Sequence, residues 1–471
     1  MNMNVRSVPG AGIPILKRKP LSCILAVIKM KKDSQMSELF EIAYAAATNR
    51  LCLFTGTGFS KEVSNGDAPT WKGLLEELCD ILPNADKLKA SLFPKEKPSP
   101  LNLEETAQII SIKLAAQDKD IHEEVAKIIS KIQLGDSNEE IESFFSNRSF
   151  RVVTTNYDKL AESLTCENTS QSITPGLPIP RSSANVKVYH VHGSVDSPPN
   201  MVITSEDYFK FINSDSYFSR KLSTVLYENT IVILGYSLGD TNLKAIISDY
   251  KGFSKSHVVG SNIFLISRSA IDQNVKDYYF HCYGIRVLDA LEINIFFKNL
   301  NKEIPKAERI SERSLKSIRK VVYENHSFKD TYLKLEDSFY QIISAIAAEG
   351  LSWDNKKVVA MIGDIIETKT NLTNVHNAWE QYEHLARWLI YLGTIFEVRK
   401  TSIEGKYLDA VLRSMTTMRK DYYIGYSWHA YRSWKNRWPS MIVSNRVLIK
   451  KHIEENTTWS DALAIVNDVD S

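Results

Sequence analysis

The stretch from Leu51 to Ser60, LCLFTGTGFS, constrains the fold of this chain more than any other part of its sequence. It begins as an apolar run and ends in a Gly-x-Gly-x-Ser turn. A polar loop follows at 61–70, and a helix is predicted from Trp71 to about Leu82. In α/β proteins, a buried strand that turns through glycines toward a helix binds dinucleotides, because the glycines let the backbone approach the pyrophosphate and backbone N–H groups face it. Gly-x-Gly also follows apolar runs in unrelated turns, so this pattern needs support from the rest of the chain.

Five more short strands are predicted downstream, each a continuous apolar run, at 150–155, 186–191, 230–234, 263–266 and 285–288. Helical segments separate these strands, and this alternation is typical of a parallel sheet that is covered on both faces. We therefore predict an α/β fold with a Rossmann-like parallel sheet over residues 36–305. Residues 165–185 are predicted to form a long loop. Residues 201–204 are predicted to form a short strand before a helix capped by Ser205.

From about residue 306 the pattern changes, and no further apolar strand is evident. Apolar residues at three–four spacing predict helices at 310–345, 355–367, 374–398, 402–420 and 440–455. We predict a separate all-α C-terminal domain at 306–471, which would serve assembly, sensing or partner binding. Residues 1–35 contain a short apolar run that lies between lysines and has no visible cleavage site. This pattern favours a flexible leader, or a start codon assigned too far upstream, over a signal peptide.

Composition excludes several broad classes of protein. With 43% hydrophobic residues, 24% charged residues and a net charge of +2, the chain resembles a soluble globular protein without the basic excess of a nucleic-acid or membrane binder. No apolar stretch approaches the roughly 20 residues that a membrane span requires. The five cysteines form no Cys-x-x-Cys pair, so no zinc ribbon is predicted and a reducing cytoplasm is the expected location.

Four polar or glycine-containing motifs follow predicted strands, at the point where each strand ends. They are Gly56-Thr57-Gly58-Phe59-Ser60, Thr155-Asn156-Tyr157-Asp158, His192-Gly193-Ser194 and Gly235-Tyr236-Ser237. In an open parallel sheet, ligands bind beyond the carboxyl ends of the strands. We therefore expect the four motifs to converge on one edge of the sheet and to form one binding site.

In type and order these motifs resemble those of the sirtuin superfamily. Sirtuins carry a Gly-Ala-Gly-x-Ser phosphate loop, a Thr-Gln-Asn-x-Asp motif, a His-Gly motif and a later Gly-x-Ser strand end that lines the NAD site. The resemblance covers roughly residues 36–300 and implies catalytic roles for Asn156, His192 and Asp158. It also implies a set of residues that contact NAD, namely Thr55, Gly56, Thr57, Gly58, Phe59, Ser60, Thr155, Gly193, Gly235, Tyr236 and Ser237.

Each of these residues also has a purely structural interpretation. By resemblance, Asn156 holds the nicotinamide ribose and a water near the scissile carbon, whereas an Asn at a strand end is often only a turn former. His192 matches the catalytic histidine of the family, and the alternative is a structural core histidine. Asp158 would orient the site or only cap the next helix. Ser60 would lie near the phosphates or act as a cap, and His190 is expected either to support the site residues from behind or to be structural.

The chain departs from deacylating sirtuins in one respect. Those enzymes carry a four-cysteine zinc module, which this chain lacks, so neither zinc nor acyl-peptide binding is expected. The loop Asp67-Ala68-Pro69-Thr70-Trp71 looks like the divergent sirtuin-like domains of bacterial anti-phage defence proteins. That resemblance implies NAD+ hydrolysis to ADP-ribose and nicotinamide, with NAD+ as substrate and no metal, and defence through NAD depletion and abortive infection.

The same resemblance implies an activity that is held off until a trigger arrives, through homo-oligomerisation or a partner. Some such relatives work with a HerA-type ATPase and others with a short Argonaute. Two other hypotheses stay open: a regulatory subunit that binds NAD or ADP-ribose in a complex with such an ATPase, and a nuclease. The aromatic and basic residues between Tyr422 and Arg437 are compatible with binding to nucleic acid or a partner protein, although helix packing or an oligomer interface is favoured.

Overall fold

The computed structural model describes most of the chain between Met36 and Asp468. The described residues are 36–94, 99, 101–179, 183–212, 217–236, 263–352, 355–375 and 378–468. The predicted leader at 1–35 and the predicted site residue Ser237 lie outside this part of the chain.

A seven-stranded parallel sheet forms the centre of the N-terminal part. Its strands are β1 (Leu51–Thr55), β2 (Phe150–Thr154), β3 (Ser170–Ile173), β4 (Val186–His190), β5 (Thr230–Leu234), β6 (Ile263–Ile266) and β7 (Ile285–Leu288). The strand order is β3–β4–β2–β1–β5–β6–β7, and every pair of neighbours is parallel. All residues of β1 and β6 are buried, because helices cover both faces of the sheet. The predicted Rossmann-like α/β fold is confirmed.

Strand β1 lies at the point where the strand order reverses. Its neighbours are β2 on one side and β5 on the other. Strands β2, β3 and β4 therefore lie on one side of β1, and β5, β6 and β7 lie on the other. The last paired residues of β1 and β5 are Thr55 and Leu234. At such a switch point the connections leave the two strands in opposite directions, which opens the crevice where ligands of α/β sheets bind.

Helices cover the sheet and fill the connections between its strands. They are α1 (Met36–Ala47), α2 (Thr57–Val63), α3 (Trp71–Asp80), α4 (Ala85–Leu92), α5 (Leu103–Ala115), α6 (Ile121–Ile129), α7 (Glu139–Asn147), α8 (Leu160–Ser163), α9 (Ser205–Ile212), α10 (Tyr217–Glu228) and α11 (Gln273–Tyr283). Helix α3 begins where it was predicted, and Thr70 Oγ1 caps it by accepting the N–H of Gly73 at 3.1 Å.

Several local predictions differ from the structure. The helix α2 begins at Thr57 within the glycine motif and extends to Val63, into the predicted loop, and the connection after α3 contains α4. Residues 170–173 form the edge strand β3 and not a loop, because their backbone pairs with β4. Residues 201–204 form no strand. Thr204, rather than Ser205, caps α9, since Thr204 Oγ1 accepts the N–H of Asp207 at 3.3 Å.

The C-terminal part is helical, as predicted. Its helices are α12 (Ile293–Tyr323), α13 (Asp330–Leu333), α14 (Ser338–Ala348), α15 (Lys356–Leu372), α16 (Trp379–Ile395), α17 (Glu404–Thr416), α18 (Trp428–Arg437), α19 (Val443–Asn456) and α20 (Ser460–Val466). Helix α12 passes through residue 305 and packs along α1. The predicted division at 305/306 therefore falls inside a helix, and the two-domain description stays a prediction. Among the described helices, none combines the length and apolarity that crossing a membrane would require.

Ion pairs and a shared apolar core join the helical part to the sheet. Arg286 of β7 donates to both carboxylate oxygens of Glu41 on α1, at 3.0 and 2.5 Å. Arg437 of α18 lies 3.3 Å from Glu38 of α1. One continuous cluster of buried apolar side chains runs from strand β1 to helix α16. The helical part is thus packed on the sheet through α1.

Candidate active site

The glycine turn after β1 is built against the end of β5. The N–H of Gly56 donates to the carbonyl of Leu234 at 3.0 Å, and the N–H of Gly58 donates to the carbonyl of Gly235 at 2.9 Å. Gly235 has a φ of +73°, and a Cβ there would lie 2.0 Å from the nitrogen of Phe59. Glycine is therefore required where the two segments meet. Because these N–H groups already bond to Leu234 and Gly235, they are not free for a phosphate, in contrast to the expectation that the turn presents its N–H groups.

The side chain of Tyr236 covers this turn. A Cβ on Gly56 would lie 2.7–2.8 Å from three carbons of the Tyr236 ring, so the ring rests directly on the glycine backbone. The Tyr236 hydroxyl lies 2.5 Å from Thr155 Oγ1, and the ring centroid lies 5.3 Å from that of Phe54. These contacts join the ends of β5 and β2 across β1. A ligand that reached the backbone of Gly56 would have to displace this ring.

Three predicted site residues form a chain of hydrogen bonds between the loops that follow β1 and β2. Asn156 Nδ2 donates to Ser60 Oγ at 2.6 Å, and Ser60 Oγ donates to Asp158 Oδ2 at 2.7 Å. Because the Ser60 hydroxyl gives its proton to a carboxylate, it must accept from Asn156, so the amide NH₂ group faces Ser60. Asn156 Oδ1 therefore points away from Ser60 and is the acceptor that this side chain offers to a ligand.

Asp158 accepts the last hydrogen bond of this series and also contacts the next helix. Its Oδ1 accepts the N–H of Leu160, the first residue of α8, at 3.0 Å. Burial raises the pKa of Asp158, and the hydrogen bonds from Ser60 and Leu160 oppose that rise. Asp158 thus contacts both Ser60 and the start of α8, although Lys159 is the N-cap residue of that helix, and an orienting role in the site stays a prediction.

His192 lies in an apolar surrounding. Its side chain is 4% exposed and meets the rings of Tyr208 and Phe211 edge to face, with centroid distances of 5.4 Å in both cases. Burial lowers the pKa of His192 to about 4. The imidazole is therefore neutral at physiological pH, and one of its ring nitrogens can accept a proton.

Main-chain contacts place the His192 loop beside the Asn156 loop. The N–H of Val191 donates to the carbonyl of Thr154 at 2.8 Å, and the N–H of Val195 donates to the carbonyl of Tyr157 at 3.0 Å. Gly193 turns the chain with a φ of +82°, and a Cβ there would lie 2.7 Å from the carbonyl oxygen of Asn200. As expected, the described residues of all four motifs lie at the same edge of the sheet.

The contacts of His190 involve residues to which the sequence gave no role. His190 is fully buried, and its Nε2 lies 2.9 Å from Oε1 of Glu162. Lys159 Nζ lies 2.8 Å from the same carboxylate oxygen. The one sequence signal for these residues is that a buried histidine on a strand needs hydrogen-bond partners, since buried polar groups are almost always paired.

Two other predicted residues lie at the turn but face the interior. The Phe59 side chain is 1% exposed and stacks on Phe145 with centroids 6.1 Å apart, so only its main chain borders the turn. Thr55 is buried, and its carbonyl accepts from Thr154 Oγ1 at 3.1 Å, which fastens β2 to β1. The NAD contacts implied for the predicted residues stay predictions, and Ser237 lies outside the described residues.

The part of the chain that the structure describes offers few residues that could bind a metal ion or act as a thiolate nucleophile. There, no group of three or more His, Cys, Asp or Glu side chains is arranged to hold a metal ion, and the expectation that no zinc is bound stays a prediction. Burial raises the pKa of the Cys52 thiol to about 12 and that of Cys79 to about 11, so neither is a thiolate nucleophile.

An open depression of about 590 Å³ contains none of the motif residues. It is lined by Gln108, Ser205, Glu206, Phe209 and Lys210.

Parts of the chain are similar to known proteins. Residues 151–288 match the family model described as SIR2-like domain. Defense-associated sirtuin 2 of Bacillus subtilis is 21% identical over 272 residues, which are 57% of this chain and 26% of that protein. The NAD(+) hydrolase ThsA of Enterococcus faecium is 31% identical over 137 residues, 26% of this chain and 28% of that protein. The NAD(+) hydrolase ThsA of Cytobacillus dafuensis is 23% identical over 240 residues, 48% of this chain and 43% of that protein.

The family match covers three of the four motifs and begins after the glycine turn at 56–60. The chain spans less than half the length of each of these three relatives. The family match begins in β2 and ends with β7, and it contains Asn156, His192 and Gly235. The resemblance that the four motifs predicted is confirmed: the chain contains a SIR2-like domain, similar to parts of a defence-associated sirtuin and of proteins named NAD(+) hydrolases.

Proposed function

We propose that this chain hydrolyses NAD+ at the nicotinamide–ribose bond, giving ADP-ribose and nicotinamide. The observation that carries the proposal is an Asn156 side chain anchored by Ser60, with a neutral, buried His192 in the adjacent loop. Similarity to proteins named NAD(+) hydrolase ThsA supports the same substrate. The switch point between β1 and β5 is where α/β sheets bind dinucleotides, and it lies beside these residues.

Hydrolysis breaks the bond between C1′ of the ribose and N1 of nicotinamide. Nicotinamide leaves with the electron pair and becomes neutral, so positive charge develops on the ribose, as in other glycoside cleavages. A water oxygen then bonds to C1′, and the water loses one proton. The protein must therefore hold the ribose, place one water and accept that proton.

Asn156 and His192 would perform these tasks. Asn156 Oδ1 points away from Ser60 and would accept a hydrogen bond from a ribose hydroxyl or from the water. A preorganised oxygen dipole near the developing positive charge favours the transition state. The neutral imidazole of His192 would accept the proton, and the rings of Tyr208 and Phe211 shield it from bulk water.

The rate of hydrolysis is expected to stay nearly constant as the pH falls from about 8 to about 5.5. Burial lowers the pKa of His192 to about 4, so the neutral, proton-accepting form persists above that pH and is lost as the pH falls through it. A histidine with the ordinary pKa near 6.5 would lose about nine-tenths of its neutral form at pH 5.5. Initial rates of nicotinamide release measure this. A roughly tenfold fall over the range, in protein that circular dichroism shows to be folded, would contradict the assignment.

We propose that the activity serves defence against phages by depleting NAD+, a role suggested by the name of the relative Defense-associated sirtuin 2. An unrestrained NAD+ hydrolase would also harm its own cell, so the activity would be held off until a trigger arrives. The helical part is the candidate for this control, since Arg437 of α18 and Arg286 of β7 both pair with α1. Homo-oligomerisation or a partner such as a HerA-type ATPase would act through it.

The proposal is tested by incubating the purified protein with NAD+ and separating the products by chromatography. Nicotinamide and ADP-ribose are expected in equal amounts. If no product forms, calorimetric titration with NAD+ distinguishes two cases. Binding without turnover would favour a gated enzyme or the alternative of a regulatory NAD-binding subunit, whereas an absence of binding would contradict the assignment of the site.

A further inference from the structure

A second buried histidine lies directly behind Asn156. His190 ends strand β4 and is 0% exposed. Its Nδ1 lies 3.2 Å from the carbonyl oxygen of Asn156, and its Nε2 lies 2.9 Å from Oε1 of Glu162. The ring is too deeply buried to touch a ligand, so it acts through these two partners.

The partners determine where the protons of the ring lie. A main-chain carbonyl can only accept, so Nδ1 must carry a proton and donate it to Asn156. Glu162 Oε1 also accepts from Lys159 Nζ at 2.8 Å and from Ser172 Oγ at 2.6 Å, as an ionised carboxylate does. Nε2 therefore faces a carboxylate oxygen that already accepts two other hydrogen bonds, and the ring is held at both ends.

Charged groups lie around the ring and its partner Glu162. Lys159 bridges Glu162 and Asp196, with a distance of 2.5 Å to the latter. Asp158 also interacts electrostatically with both His190 and Glu162. Burial alone would raise the pKa of Glu162, but the hydrogen bonds and charges of His190 and Lys159 outweigh it and lower the pKa to about 2. Glu162 thus stays ionised at neutral pH and keeps the ring anchored.

We propose that His190 is a positioning residue for Asn156. The N–H of Asn156 donates to Thr154 Oγ1 at 3.1 Å, and its side-chain amide donates to Ser60 at 2.6 Å. His190 adds a third restraint, on the carbonyl, so the peptide plane that follows Asn156 cannot rotate. The direction of Asn156 Oδ1 is thereby fixed. A misplacement of about 1 Å at a reacting group lowers a rate by roughly 100-fold.

Two substitutions of His190 separate this role from a merely structural one. The amide nitrogen of an asparagine side chain reaches the place of Nδ1, so His190→Asn keeps a donor to the Asn156 carbonyl and gives up the contact with Glu162. Glutamine is one bond longer, so His190→Gln keeps a donor to Glu162 and gives up the bond to Asn156. In both variants Glu162 retains Lys159 and Ser172 as partners.

The kinetic readout of this proposal rests on the proposed hydrolysis. For this reason kcat and KM for NAD+ are measured together with amide hydrogen exchange of the segment 154–160, which does not depend on hydrolysis. His190→Gln is expected to lower kcat by about 10- to 100-fold with KM changed by less than about threefold, and to speed exchange of this segment by about tenfold. His190→Asn is expected to stay within about fivefold of wild type in kcat and to leave exchange almost unchanged.

Equal losses in the two variants, or a larger loss in His190→Asn, would overturn the positioning role. A double variant with Asn156→Ala adds a second criterion, since His190→Gln should cause no further loss of kcat once Asn156 is gone. Losses that multiply would also overturn it. If the wild-type protein releases no nicotinamide, the proposed hydrolysis fails, but hydrogen exchange still decides whether His190 holds the Asn156 loop.

Discussion

Replacing Asn156 with alanine is expected to lower kcat for NAD+ hydrolysis by about 100- to 1000-fold, the usual effect of removing one preorganised polar group from a transition state. The change removes Oδ1, the acceptor that points away from Ser60, and leaves the bond between Ser60 and Asp158 in place. KM should change much less, because the rest of a dinucleotide would be bound beyond the other strand ends. Steady-state rates of nicotinamide release give both constants.

Two further substitutions control for the fold and for the orientation of the amide. Asn156→Asp keeps one oxygen but replaces the NH₂ group that Ser60 accepts from, and it adds a negative charge beside Asp158. Its loss of kcat is expected to match that of Asn156→Ala. Asn147→Ala changes an exposed asparagine at the end of α7 and should keep kcat within about twofold. Near-wild-type turnover by Asn156→Ala would show that the reaction takes place elsewhere.

The sheet could be predicted from the sequence wherever burial is complete. Strands β1, β5 and β6 are covered on both faces, so their residues read as uninterrupted apolar runs with clear limits. The edge strand β3 could not, since its sequence SQSI is mostly polar and half-exposed and pairs with β4 alone. The helix α2 was hidden because it contains Gly58 and is only seven residues long.

The candidate site was predictable as a set of loops but not as a set of contacts. Strand ends of a parallel sheet share one edge, so the convergence of the motifs follows from the fold class. The hydrogen bond between Asn156 and Ser60 joins residues 96 positions apart and depends on the register of β1 and β2. The contact of His190 with Glu162 depends in the same way on how the short helix α8 packs beside β4. Such contacts need the three-dimensional fold.

The largest effect on folding is expected from Gly235→Ala, which should lower the free energy of unfolding by roughly 2–5 kcal/mol. Gly235 has a φ of +73°, which L-residues rarely adopt. The added methyl would lie 2.0 Å from the nitrogen of Phe59 and 2.6 Å from the carbonyl carbon of Gly58. These are backbone atoms of the glycine turn, so no side-chain rotation relieves the clash. Equilibrium denaturation in urea measures the loss.

Gly350→Ala is the matched control for this substitution. Gly350 has a φ of +67° and no atom within 4 Å of the position of a Cβ, so the variant carries the same conformational strain without the clash. It should lose only about 1–2 kcal/mol. The difference between the two variants therefore isolates the contact between the end of β5 and the glycine turn. Equal losses would mean that the turn can move away from β5 at little cost, and the two N–H groups of Gly56 and Gly58 would then become available to a phosphate after all.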